Sequence, residues 1–287
     1  MQSEESSKAM YAQVYQAIFP TLQHARECQA ITHRLLSHYC QLDPIHIVLD
    51  APVTLSPSKK KLLSAAIKRL KKQEPIQYIL GEAPFLGRNF QVGPTVLIPR
   101  PETEALVQYI IDHNPQAGAR VLDIGTGSGC IAITLQQVLA QATVHALDID
   151  PAALHMAQAN AKTLGATVQW LQADVLHEPL PDQHWDIIVS NPPYVHMAEQ
   201  QHMQRCVLDY EPAKALFVPN EKPLIFYEKI VGLALQHLAP AGKLYVEINE
   251  TLGPAVARLL IHAGFDTVCI QQDLHGKDRW VAGTLGA

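Results

Sequence analysis

The tetrapeptide Asn191-Pro192-Pro193-Tyr194, which follows the apolar run Trp185–Val189, offers the clearest chemistry in the chain. The β-branched residues of the run predict a buried strand, and the two prolines end it because proline lacks a backbone donor and fixes φ. A residue before proline is held in extended geometry, so we expect Asn191 to be presented stiffly at the strand's carboxyl end. Open α/β sheets bind ligands at that edge. The tetrapeptide alone leaves open an ordinary Pro-Pro turn.

A glycine-rich segment, Asp123–Gly129, lies where a predicted strand passes into a predicted helix. Glycines let the backbone bend sharply and approach a ligand, while the free amides of the helix start face it. The dinucleotide fingerprint would need glycine at Cys130, and the phosphate-binding loop would need Gly-Lys-Ser/Thr. The segment therefore favours a nucleotide-type ligand that lacks a pyrophosphate, with these predicted contacts: Gly125, Thr126, Gly127, Ser128 and Gly129.

Acidic residues end or follow the next two predicted strands. Asp148 is placed to accept hydrogen bonds from both ribose hydroxyls of an adenosine, and Asp174 could receive the exocyclic amine of an adenine. Asp150, which precedes Pro151, is predicted to cap the next helix. Carboxylates around the pocket and the absence of a phosphate-binding lysine suit a ligand with a sulfonium cation and no phosphate. The pattern therefore predicts a site for S-adenosylmethionine.

The elements that must position these residues are strands alternating with helices, which predict parallel βαβ units and a doubly wound α/β sheet. Predicted helices cover 130–139, 151–164, 224–238 and 251–263. Seven strands are predicted, at 120–124, 143–148, 167–171, 186–190, 243–248, 266–271 and 279–283.

A helical segment precedes the sheet. Residues 8–73 contain no glycine, and Ser56-Pro57 predicts a helix start followed by an apolar stripe at Leu63, Ala66, Ile67 and Leu70. Short strands are expected at Tyr78–Gly81 and 85–94, as a hairpin linker. The predicted domains are a helical, substrate-docking bundle at 1–73, the linker at 74–101 and a catalytic domain at 102–287.

Composition excludes several classes of protein. The chain has 287 residues, of which 48% are hydrophobic and 17% are charged, as expected of a globular protein with a sizeable core. No run is long enough to span a membrane and the start is acidic, so we expect a cytoplasmic protein. A net charge of -5 argues against binding that depends on many phosphates. The basic run Lys59–Lys72 is either a solvated helix face or a site for an acidic or RNA-rich partner.

Neither the cysteines nor the histidines predict a metal site. The five cysteines are widely spaced without a Cys-x-x-Cys pair, so they fit neither a disulfide framework nor a zinc site. The fourteen histidines include no His-x-x-x-His spacing. We expect no metal and a monomeric protein.

The order of glycine loop, second-strand acid and fourth-strand Asn-Pro-Pro-Tyr resembles the amino-methyltransferases, which methylate planar nitrogens. Within them, the linker segments Pro75–Gly81, Phe85–Val92 and Leu97–Glu104 resemble the HemK-type (PrmC family) peptide chain release factor glutamine methyltransferases. The resemblance spans residues 75 to 283 and includes Tyr210-Glu211-Pro212 and Asp278-Arg279. It implies a Rossmann-like, S-adenosylmethionine-dependent methyltransferase fold with a mostly parallel seven-stranded sheet.

The resemblance also implies the substrate and the residue roles. The substrate would be the glutamine of the Gly-Gly-Gln tip of class 1 release factors, methylated on its side-chain nitrogen. If the side-chain oxygen of Asn191 and the carbonyl of Pro192 each accept one N–H, the substrate nitrogen is fixed with its lone pair aimed at the methyl group. Tyr194 would stack on the amide, which gives Asn191, Pro192 and Tyr194 as catalytic residues and Asn191–Tyr194 as substrate contacts, with Asn191 also touching the cofactor.

Two positions depart from the family pattern. Val175, expected beside the adenine, stands where some members have an aromatic residue, and Asn249 stands where glycine is frequent. The alternatives left open are a glutamine methyltransferase of a ribosomal protein, a DNA adenine methyltransferase and a non-catalytic binding protein. The acidic balance disfavours direct DNA binding.

Overall fold

The computed structural model describes residues 5–286, which group into two compact units. The first unit comprises the residues up to Gly81 together with Gln204–Tyr210. The second comprises Glu82–Met203 and the residues from Glu211 onward. Within 5–286, no helix combines the length and the apolar character that crossing a bilayer requires.

The first unit is helical, as predicted. Ser56 begins the fourth helix, since its side chain accepts a hydrogen bond from the Lys59 amide, and the predicted stripe buries Leu63, Ala66 and Leu70. These side chains join a core of helix-borne aliphatic residues. A two-residue strand pair joins Glu5–Ser6 to Pro52–Val53. Numbered in chain order, the helices are α1 (Ser7–Leu22), α2 (Ala25–Cys40), α3 (Pro44–Val48), α4 (Pro57–Leu70), α5 (Ile76–Leu80) and, much later, α9 (Arg205–Tyr210).

The strand predicted at Tyr78–Gly81 is wrong, because these residues form α5 and its end. The amides of Tyr78 and Ile79 donate to the Pro75 carbonyl, and Gly81 ends the helix at φ 76°. A short apolar run fits either a strand or a helix, and here Pro75 and Gly81 are a helix start and stop. The hairpin itself is confirmed and pairs Glu82–Phe85 with Arg88–Gln91.

The second unit contains a seven-stranded sheet, which confirms the predicted doubly wound α/β fold. The strands are β1 (Arg120–Ile124), β2 (Thr143–Asp148), β3 (Val168–Gln172), β4 (Trp185–Ser190), β5 (Leu238–Glu247), β6 (Phe265–Gln272) and β7 (Asp278–Leu285). Their order across the sheet is β6-β7-β5-β4-β1-β2-β3. β7 alone runs opposite to the other six strands of the sheet, so the carboxyl ends of β1 to β5 share one edge.

Two apolar clusters pack against the sheet, as expected when crossover helices cover both faces. One includes side chains of Cys130–Val138 and the other includes side chains of Ile225–His237. After β4 come short 3-10 turns at Met197–His202 and Ala213–Ala215 and a strand pair at Val195–His196 and Phe217–Val218. The helices of this unit are α6 (Pro101–His113), α7 (Cys130–Val138), α8 (Pro151–Leu164), α10 (Ile225–His237) and α11 (Gly253–His262).

Candidate active site

A cavity of about 290 Å³ opens at the carboxyl ends of the parallel strands. The sheet's order explains its position, because β1 and β4 lie side by side and their crossover connections leave to opposite sides. The structure brings most of the predicted site residues to its wall, namely Gly125, Thr126, Gly127, Ser128, Asp148, Asp174, Val175, Asn191, Pro192 and Pro193. It does not place Gly129 or Tyr194 in that wall.

The glycine loop adopts the backbone that its sequence predicts. Gly125, Gly127 and Gly129 all have positive φ, at 77°, 55° and 82°, which side chains rarely tolerate. Gly129 begins α7 and has a packing role, since a Cβ there would lie 3.1 Å from the Cβ of Ala157. The first two glycines therefore shape the cavity wall, and the third seats α7 against α8.

Asp148 links the second strand to the glycine loop. One carboxylate oxygen accepts the Gly127 amide at 2.9 Å, and the other accepts the Asp150 amide at 2.9 Å. Burial raises the pKa of Asp148, while these two hydrogen bonds oppose that rise. Each oxygen keeps a lone pair, so the carboxylate can still accept two more hydrogen bonds.

Asp174 and Val175 lie beyond β3 in the same wall. Asp174 Oδ2 lies 2.6 Å from His177 Nδ1, and its Oδ1 accepts the Leu176 amide at 2.9 Å. The hydrogen bond with His177 lowers the pKa of Asp174, so this carboxylate stays ionised near neutral pH. Val175 is buried and presents an apolar surface beside it.

Two cationic side chains reach the wall, and a carboxylate accompanies each of them. Lys214 lies 2.5 Å from Asp150, whose other oxygen accepts the Ala152 amide and confirms its predicted capping role. Arg100 lies 2.5 Å from the buried Glu211, which also accepts the Ile98 amide at 3.2 Å. The cavity thus offers no unpaired cation among its described lining residues.

The loop after β4 is fixed by backbone contacts on both sides of the tetrapeptide. Ser190 Oγ donates to the Ile124 carbonyl at 2.8 Å, and the amides of Tyr194 and Val195 both donate to the Leu216 carbonyl. Asn191 and Pro193 are half-buried and Pro192 is buried. Asn191 thus directly follows β4 and lines the cavity, at the strand end where the sequence predicts it.

Behind the loop, Asn191 Nδ2 donates to Thr103 Oγ1 at 3.1 Å. Thr103 in turn donates to Glu247 at 2.6 Å, and the Tyr194 hydroxyl donates to the other oxygen of Glu247 at 3.1 Å. Burial raises the pKa of Glu247 to about 7, and burial together with the neighbouring carboxylate raises the pKa of Tyr194 well above its usual value. The Tyr194 hydroxyl is therefore a neutral donor that holds its ring in place.

Thr103 and Glu247 were not among the predicted site residues. Glu247 gave a signal in the sequence, because a carboxylate inside the apolar strand Leu244–Ile248 is unusual unless it has partners. Asn249, the departure noted two residues later, has a local explanation: its side-chain oxygen accepts the Thr251 amide at 3.0 Å and shapes the turn before α11.

The strand order, the glycine loop and the strand-end acids define the class of protein: a Rossmann-like methyltransferase. A family model described as "Methyltransferase small domain" matches residues 101–209, and one described as "PrmC N-terminal domain" matches residues 13–81. Among solved structures, a methyltransferase from Pyrococcus furiosus shares the fold with a TM-score of 0.52 at 19% identity, covering 78% of this chain and 98% of that one.

Curated relatives give the family. A release factor glutamine methyltransferase from Bacteroides thetaiotaomicron is 44% identical over 272 residues, 94% of this chain and 96% of the relative. One from Flavobacterium psychrophilum is 40% identical over 260 residues, 89% of this chain and 91% of the relative. The chain belongs to the release factor glutamine methyltransferase family.

The residues present fit S-adenosylmethionine, the methyl donor of this class. Asp148 has lone pairs left for the two ribose hydroxyls, and Asp174 with Val175 offers a polar and an apolar contact to an adenine. Because Arg100 and Lys214 are already paired, the wall suits a cationic ligand without phosphates.

Proposed function

We propose that this chain transfers a methyl group from S-adenosylmethionine to the side-chain nitrogen of a glutamine in release factors. The substrate residue would be the glutamine of the Gly-Gly-Gln motif in class 1 release factors, and its methylation would modulate translation termination. Membership of the family supports the release factor as substrate. A translation factor as substrate would place the reaction in the cytoplasm.

The observation that carries this proposal is a pair of unused acceptors on two adjacent residues that line the cavity, Asn191 and Pro192. Asn191 turns its amide NH₂ toward Thr103, which leaves its Oδ1 without a hydrogen bond from residues 5–286. The Pro192 carbonyl likewise accepts none within that range. A primary amide carries two N–H donors, so two acceptors at one place match a glutamine side chain.

The proposed mechanism needs orientation more than a strong base. An amide nitrogen is a weak nucleophile because its lone pair is delocalised. With both N–H groups held by Asn191 and Pro192, that lone pair is aimed away from the two acceptors and toward the donor side of the cavity. As the nitrogen attacks, its N–H groups become more acidic, so both hydrogen bonds strengthen in the transition state.

Tyr194 and the bound cofactor complete the proposed site. The Tyr194 hydroxyl donates to Glu247, which fixes the ring behind the loop. Tyr194 is not among the residues that line the cavity, so its stacking on the glutamine amide stays a prediction. When bound, S-adenosylmethionine would supply the methyl group for in-line displacement, with S-adenosylhomocysteine as the leaving group, and the methylated nitrogen would release one N–H proton to water. Asp148 would hold its ribose, and Asp174 with Val175 would hold its adenine.

Labelled S-adenosylmethionine and purified release factors test the proposal directly. Label should enter a release factor with the Gly-Gly-Gln tip and should not enter a matched factor whose tip glutamine is replaced by alanine. Equal labelling of both factors would refute the substrate assignment, as would labelling confined to a ribosomal protein or to DNA.

The Asn191→Ala variant tests the site itself. It should lose turnover while keeping most of its affinity for S-adenosylhomocysteine, because the proposed adenosine contacts lie at other strand ends. Full turnover in this variant would contradict the role given to Asn191, whatever the substrate.

A further inference from the structure

A buried carboxylate lies behind the Asn-Pro-Pro-Tyr loop without an ion-pair partner among the described residues. Glu247 is 1% exposed and forms no ion pair with any residue in the described range 5–286. It ends β5, next to β4, where Val246 pairs with Ser190 in the sheet. Burying a carboxylate is costly unless hydrogen bonds compensate it, so packing alone would favour an apolar side chain here.

The hydrogen bonds of Glu247 have only one possible direction when it is ionised. A carboxylate has no proton to donate, so the hydroxyls of Thr103 and Tyr194 must both donate to it. Thr103 has a single hydroxyl proton, and Glu247 takes it at 2.6 Å. While Glu247 is ionised, Thr103 Oγ1 can therefore only accept a hydrogen bond from any other neighbour.

That neighbour is Asn191, whose side-chain amide could in principle point either way. Its nitrogen faces Thr103 Oγ1 at 3.1 Å, which is the only orientation that Thr103 can satisfy while it donates to Glu247. The reverse orientation would set the lone pairs of two oxygens against each other. The Asn191 oxygen is therefore the atom left free at the cavity.

We propose that Glu247 and Thr103 are positioning residues, which hold the Asn191 amide with its oxygen toward the substrate. The inference rests on the proposed function, since the glutamine N–H is what that oxygen would accept. If the side-chain amide of Asn191 were reversed, its NH₂ would face the NH₂ of the glutamine. A repulsion would then replace one of the two hydrogen bonds that hold the substrate. Glu247 itself acts through Thr103 and Tyr194 and does not line the cavity.

Thr103→Val and Thr103→Ser form a matched pair for the test. Valine keeps the shape of threonine but has no oxygen, so Asn191 loses the atom that selects its orientation. We expect kcat to fall about 10-fold or more, since losing a hydrogen bond and gaining a repulsion together exceed the net worth of one bond. Serine keeps the hydroxyl and should recover most of the lost kcat.

Two readouts separate positioning from general damage. The dissociation constant for S-adenosylhomocysteine, measured by calorimetry, and the melting temperature should stay near the wild-type values in Thr103→Val. A serine variant as slow as the valine variant would overturn the proposal, as would a valine variant with wild-type kcat. If wild-type protein does not methylate release factors, the proposed function fails before any variant is compared.

Glu247→Gln supplies an independent arm. A glutamine has one acceptor oxygen where the carboxylate has two, so Thr103 and Tyr194 compete for it and kcat should fall. If Glu247 acts through Thr103, Glu247→Gln should lower kcat less in the Thr103→Val background than in the wild-type protein. If the two fold-decreases in kcat simply multiply in the double variant, Glu247 acts by another route and its positioning role is refuted.

Discussion

Asp148→Asn should weaken cofactor binding far more than its small change in shape suggests. The carboxylate already accepts the Gly127 and Asp150 amides, one on each oxygen. An asparagine must set its NH₂ against one of these two N–H groups, and it offers the ribose one neutral acceptor in place of two charged ones. Hydrogen bonds to a charged group contribute about 1.5–3 kcal/mol each. The loss of one such bond corresponds to a dissociation constant about 10- to 150-fold higher.

Calorimetry with S-adenosylhomocysteine measures this change without turnover. Asp150→Asn is a neighbouring comparison, because asparagine keeps the helix cap on Ala152 but leaves Lys214 without its ion-pair partner in the cavity wall. It should weaken binding less than Asp148→Asn does, because it removes no acceptor from the ribose. An Asp148→Asn variant with wild-type affinity would refute the ribose assignment, and equal weakening in both variants would point to disturbance of the loop they share.

Three further changes probe stability. Ser56→Ala should lower the free energy of unfolding by about 1 kcal/mol in denaturant titrations, through loss of the α4 cap; no change would contradict the cap. Gly129→Ala should lower the melting temperature, because φ is 82° and the new Cβ would lie 3.1 Å from that of Ala157; an unchanged melting temperature would show that the loop relaxes freely. The free energy of unfolding should fall as pH rises from about 4.5 to about 7. Burial raises the pKa of Glu247 and of Asp123 to about 7, so in this range the folded protein keeps protons that the unfolded chain has released. Glu247→Gln should make the free energy of unfolding depend less on pH, and an unchanged pH dependence would contradict the contribution assigned to Glu247.

The sheet could be predicted because most of its strands contain a short apolar run that is bounded by turn residues. The predicted β4, 186–190, differs from the observed Trp185–Ser190 by one residue. The α5 helix could not be predicted from the sequence, because five residues are too few to show a helical period. There the decision falls to the residues at the ends, Pro75 and Gly81, and to burial against the other helices of the first unit.

Much of the cavity wall could also be predicted, since the glycine loop, Asp148 and Asn191 each mark the end of a recognisable strand. The Asn191–Thr103–Glu247 chain could not, because its members are separated by 88 and 144 residues in sequence. The local sequence pattern explains Glu102 and Glu104 as acidic residues in the first turn of α6. That explanation gave no reason to single out Thr103, which lies between them. Only the pairing of β4 with β5 places Glu247 behind Asn191.

The charges around the cavity discriminate between ligands that share this fold's binding edge. A dinucleotide brings a pyrophosphate, which binds to free backbone amides at a helix start and is favoured by positive charge nearby. Here Asp148 already occupies the Gly127 amide, Glu211 pairs with Arg100, and Asp150 pairs with Lys214. A pyrophosphate would have to break these contacts and then approach the carboxylates that made them. A sulfonium cation meets the same wall without displacing any of them, so the pairing selects a cationic methyl donor over a dinucleotide.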